Sequence, residues 1–209
     1  YKYDALTAFK QFWANPTYGF NGSPCAVTQF KYNDAEFFLL DNRWFRSPNN
    51  RKTGKREYLG KEQLQWLIDA LITSKATFKF VAIGGQVLSN APLYENYATY
   101  PEERAKLLNL LVEEELKNVI FLTGDRHKTE LSKIKHKGIV FYDLTVSPLT
   151  STAHDSSDEP NQNRVKGTHY AKRNFGIVKF SGPYKERKLK IVIHDKQGEK
   201  VWSRVVRRQ

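Results

Sequence analysis

The chain is 209 residues long, enough for one domain with a full core or for two small ones. Hydrophobic residues make up 40% and aromatic residues 13%, which excludes a disordered tail; no apolar run approaches the roughly 20 residues of a membrane-spanning helix. The single cysteine, Cys25, excludes an internal disulfide and a cysteine-built zinc site, and 34 basic against 22 acidic residues, net +12, predict a field that attracts nucleic acid, phosphate esters or anionic lipid.

Residues 4–14 place Leu6, Phe9, Phe12 and Trp13 at helical spacing, and Asn15-Pro16 stops the helix. Residues 26–32 and 36–40 read as two strands around Asn33-Asp34, and the basic, turn-rich stretch 42–60 reads as an exposed loop. Residues 61–73 form an amphipathic helix with Leu64, Leu67, Ile68, Leu71 and Ile72 on one stripe. Residues 78–83 are a buried strand that opens into a loop at Gly84-Gly85. A helix over 101–117 has Pro101 in its first turn, followed by glutamates. Residues 118–123 form a second buried strand, so the set is a βαβ unit with parallel pairing. Residues 129–135 and 139–146 pair about Lys137-Gly138, and 147–167 is a polar loop or lid. Residues 175–180, 188–194 and 200–206 complete an antiparallel meander. The chain therefore divides into a lead-in helix, hairpin and basic loop (1–60), a βαβ core (61–146), and a lid loop with meander (147–209). Tyr1 opens it without an initiator Met or a signal peptide, as expected of a processed or truncated chain.

Reactive groups in open α/β sheets collect beyond the carboxyl ends of the strands. Asp41-Asn42-Arg43, Gly85-Gln86 and Asp125-Arg126-His127 all stand there. Asp125 and His127 form an Asp-x-His pair on a Gly-led turn, where one carboxylate and one imidazole can face a shared cation such as zinc, iron or manganese. The same pair also fits a surface loop in which Asp125 caps the next segment and His127 packs.

The segments 41–46, 59–67, 78–86 and 121–127, with 147–151 and Asn174-Phe175-Gly176 further on, follow an order and spacing that resembles the PhoD-like alkaline phosphatases. These belong to the calcineurin-like metallophosphoesterase superfamily, and the resemblance runs from about residue 9 to residue 180. It implies an α/β fold, a partial four-layer sandwich with a C-terminal meander, and hydrolysis of phosphate monoesters or diesters by exported enzymes, periplasmic, outer-membrane-attached or extracellular. It also implies a two-metal site of Fe, Zn, Mn or Ca, with Asp125 and His127 at metal-ligand positions. Gln86 stands where many relatives carry a histidine. The family's upstream Asp-bearing strand end, Gly-Asp motif and Asp-Asp-His-type motif do not occur. The expectation is a C-terminal half that supplies part of the metal shell, its partner being the N-terminal portion of the same protein.

Phosphoryl oxygens call for bidentate donors, and Arg43 and Arg46 are the candidates for that substrate clamp. Asp41, Gln86 and Asn174 are candidates for the layer behind the ligands, Asp41 either orienting Arg43 or a ligand or capping a strand end. Arg126 is expected to be solvated, His136 exposed, and His194 packed or at the surface of the meander. His154 and His169 lie in or beside the lid loop, and no motif in the sequence assigns either of them to leaving-group protonation. Two other classes compete: a non-catalytic basic module that binds nucleic acid or another polyanion, and a protein-interaction domain. No RNP-, KH-, zinc-finger- or helix-turn-helix-like signature supports the first.

Overall fold

A computed structural model describes residues 1–209. The central sheet has six strands in the order β1-β2-β3-β4-β6-β5. β1 (Thr28–Tyr32) and β2 (Ala35–Leu39) form a hairpin about Asn33, whose φ of 55° gives the tight turn. β3 (Phe78–Ala82) and β4 (Val119–Thr123) run parallel to β2. β6 (Ile139–Thr145) continues parallel to β4, and β5 (Glu130–His136) closes the edge antiparallel to it. A second sheet, β7 (Asn174–Ser181), β8 (Lys188–Asp195) and β9 (Lys200–Arg207), is an antiparallel meander.

The strand period of two sends neighbouring side chains to opposite faces. Val81, Phe121 and Phe141 meet the leucines of α2 (Lys61–Thr73) and α3 (Pro101–Glu113) on one face. Phe80, Ile120 and Leu144 meet Leu189, Ile191, Ile193 and Trp202 of the second sheet on the other. Burial on both sides is why β3 and β4 are almost wholly apolar. Three layers result: helices, central sheet and meander. The chain is α/β, as the sequence implies.

Three element-level expectations need correction. α1 (Lys2–Phe12) buries only Leu6 and leaves Phe12 and Trp13 exposed; it stands over an apolar groove of about 780 Å³ bordered by Leu39, Ala82 and Leu122. On α2, Ile72 falls off the buried stripe and is 48% exposed. α3 ends four residues before the predicted Lys117, because Glu115 and Asn118 adopt left-handed backbone and turn the chain into β4.

Candidate active site

Parallel pairing brings the carboxyl ends of β3 and β4 to one end of the sheet, so the loop 84–100 and the turn 124–128 lie together. The Gly124 amide donates to the Gly84 carbonyl (3.1 Å), and the Arg126 amide to Gly124 (2.7 Å). Asp125 and His127 then sit at φ 63° and 53°, backbone that L side chains adopt at a cost of about 1–2 kcal/mol each. Both line an open polar cavity of about 670 Å³, with Arg43, Glu95, His154 and Glu159 on its other walls.

The Asp125 side chain is exposed and makes no hydrogen bond or ion pair within the chain. The His127 Nδ1 is buried without a partner, although burying a polar atom unpaired is costly. The His154 amide donates to the His127 carbonyl (3.0 Å), and the two rings lie 4.9 Å apart. No group of three or more His, Cys, Asp or Glu side chains gathers as a complete metal cage. A free carboxylate and an unsatisfied imidazole nitrogen nevertheless suit two positions in the shell of a borderline or hard cation. They fit as part of a metal site and not as the whole of one.

Asp41 fixes the approach to this cavity. Its carboxylate accepts from the amides of Ala26 (3.0 Å), Arg43 (2.8 Å) and Trp44 (2.9 Å), so it caps the strand end from which Arg43 projects. Arg43 lies at the cavity wall, 65% exposed, and grips Glu95 with both Nη atoms (3.0 and 2.5 Å). Arg46 takes a different place from the one expected. It does not line the cavity: its side chain is 7% exposed, ion-paired with Glu95 (3.1 Å) and hydrogen-bonded to the Tyr100 hydroxyl (3.0 Å). Its guanidinium also lies over the Tyr58 and Tyr100 rings. Burial pushes the Glu95 carboxyl up, but hydrogen bonds and charge from Arg46 and Arg43 outweigh it and hold it below the usual range.

Gln86 and Asn174 are buried away from the cavity. The Gln86 Nε2 donates to Glu130 (2.7 Å) and to the Thr145 hydroxyl (2.9 Å). Asn174 accepts from the Thr129 hydroxyl (2.7 Å) and donates to the Ser147 carbonyl (3.0 Å). Both brace the strands behind the turn.

Arg126, expected in solvent, is 7% exposed, paired with Glu159 and stacked on Tyr94 at 4.9 Å. Lys128, fully buried, bonds Glu159 (2.5 Å) and lies 3.5 Å from Glu130, which Arg164 bonds in turn (2.5 Å). This ion network fastens 156–164, the second half of the polar stretch, against the turn. Burial alone would raise Glu130, but Lys128, the Gln86 bond and Arg164 hold it low. Complete burial pushes Asp143 up to about 6, despite bonds from the Leu88 and Val87 amides and the Thr123 hydroxyl. His136, expected to be free, is partly buried and pairs with Asn109 (2.9 Å). His194 stacks on Phe175, and burial pushes His169 down.

Glu95, Glu159 and the Lys128–Glu130 pair went unrecognised in the sequence. Lys128 and Glu130 did leave a signal. They stand two apart beside the Asp125–His127 turn, on one side of an extended segment, where opposite charges can meet.

The family model for PhoD-like phosphatase matches residues 25–188. Alkaline phosphatase D of Bacillus subtilis (strain 168) is 31% identical over 121 residues, 49% of this chain and 21% of that protein. A solved structure of PhoD aligns with a TM-score of 0.69 at 22% identity, over 96% of this chain and 48% of that one, and shares the fold. The chain spans about half the length of that solved relative. With the family match extending over most of its length, from the hairpin of β1 and β2 to the meander, the chain belongs to the PhoD-like phosphatases.

Proposed function

We propose that the chain carries one part of the catalytic centre of a metal-dependent phosphoric ester hydrolase acting on monoesters or diesters. The observation that carries this reading is the Asp125–His127 turn: two strained residues whose donor atoms have no protein partner, beside a polar cavity. Asp125 and His127 would hold metal of the Fe, Zn, Mn or Ca kind. Bound there, a metal pair supplies an acidified water and charge neutralisation at the phosphoryl group.

The chain's own residues do the positioning. Arg43 is the only one of the two candidate arginines at the wall, and its planar fork suits two phosphoryl oxygens. Glu95 holds that fork in place until an ester competes for it, and Arg46 keeps Glu95 from following. The Glu159 network holds 156–164 as a fixed wall opposite. The remaining metal donors come, in this reading, from the part of a PhoD-like protein that this chain does not span. The groove beneath α1 meets the polar cavity at Arg43, which lines both, and offers that part an apolar seat. Export is likewise a proposal taken from the family; no helix is long and apolar enough to cross a membrane.

The test is hydrolysis of p-nitrophenyl phosphate and its bis ester with added Mn, Fe, Zn or Ca. The chain alone should be weak, and the chain with the N-terminal portion restored should be active. Asp125→Ala or His127→Ala should then lower activity and metal affinity by at least about 100-fold. Undiminished activity of both variants sinks the ligand assignment.

A further inference from the structure

The outer face of the meander carries an arrangement that folding alone does not favour. Leu189, Ile191 and Ile193 of β8 point into the core, so Lys188 and Lys190 point outward. The register sets Lys190 directly opposite Lys179 of β7, and Lys188 directly opposite Arg207 of β9. Like charges facing each other across strands destabilise a sheet. None of the four has an ion-pair partner, and no outward position of the three strands carries a carboxylate. Lys185, Arg187 and Arg208 join Lys188 and Arg207 around an open cleft of about 280 Å³, where Glu186 is the single acid.

This cluster lies at the opposite end of the fold from the candidate active site. Arg187 bonds Asp34, just before β2 (2.6 Å), and the Gln209 amide bonds Asn118, just before β4 (2.7 Å). Both are at the amino ends of the parallel strands. Among the cations stand exposed apolar groups, Ile177 and Val205, and the Tyr184 ring, with Arg208 lying over it at 5.0 Å.

We propose that this face docks on a bilayer carrying anionic headgroups. Clustered lysines and arginines gain energy at such a surface. Ile177 and Val205 suit its apolar boundary, and tyrosine its interface. The Tyr184 ring beside the cleft is already covered by Arg208 and offers no free platform on which a base could stack, which favours headgroups over a nucleic-acid strand. Docking on this face leaves the cavity at the ends of β3 and β4 uncovered. The proposal does not depend on the metal assignment.

Co-sedimentation with vesicles tests it. The protein should pellet with phosphatidylglycerol–phosphatidylcholine vesicles, not with phosphatidylcholine alone, and added salt should release it. The double variant Lys188→Glu/Lys190→Glu puts acids opposite Arg207 and Lys179. Binding should fall at least about tenfold, while the thermal midpoint rises. Should that variant misfold, Lys179→Gln/Lys190→Gln, verified by circular dichroism, should weaken binding in the same sense. Indifference of the wild type to anionic vesicles, unchanged binding by a folded variant, or binding to duplex DNA without binding to vesicles would each overturn the proposal.

Discussion

Asp143 shows how strongly a single buried group can act. Its carboxyl is completely enclosed, and burial raises it to about 6. Between about pH 4 and 6 the folded chain therefore holds a proton that the unfolded chain has released, so stability from this group falls as pH rises through that window and is flat above it. The difference is about 3 kcal/mol. Urea unfolding at several pH values should show Asp143→Asn losing that slope relative to the wild type; parallel curves would contradict it. Glu130, held low by Lys128 and Arg164, acts in the opposite sense, its stabilisation disappearing as pH falls. At this scale the sequence was only partly legible. The Asp-x-His spacing and the cap formed by Asp41 could be read locally. The split between Arg43 and Arg46 could not: both leave the same strand end, and only the positions of Tyr58, Tyr100 and Glu95 bury one and leave the other at the cavity.

Among the elements, the polar stretch 147–167 is the loop its composition suggests. What composition does not show is how it is fastened: Asn161 donates to Glu130 (3.0 Å) and Ser132 (2.9 Å), and Glu159 closes on Arg126 and Lys128. Removing one member of a buried ion pair leaves a bare charge and costs about 3–5 kcal/mol. Glu159→Ala should therefore lower the denaturation midpoint strongly and speed amide exchange across 154–164. Exchange confined to wild-type rates would show the loop is held by something else. The bounds of α2 were readable to the residue, because its apolar residues and flanking turns agree, and only Ile72 falls outside the buried stripe. α3 was overextended because its polar last turn and the left-handed Glu115 leave no mark in periodicity.

For the whole molecule, a charge of +12 makes the folded state repel itself. Moderate salt should raise the thermal midpoint of the wild type, and should do so less in Lys188→Glu/Lys190→Glu; an equal response would show that the charge strain is not concentrated on the meander. The α/β class, the parallel βαβ core and the terminal meander are determined by the sequence alone, because strand and helix periods and turn residues are local properties of the chain. The family, too, is carried by ordered local motifs. Tertiary structure alone decided which charges share a space: Arg126 with Glu159, Lys128 with Glu130, Lys179 opposite Lys190. Electrostatic energy depends on distance through space and on burial, and neither is written in the spacing of residues along the chain.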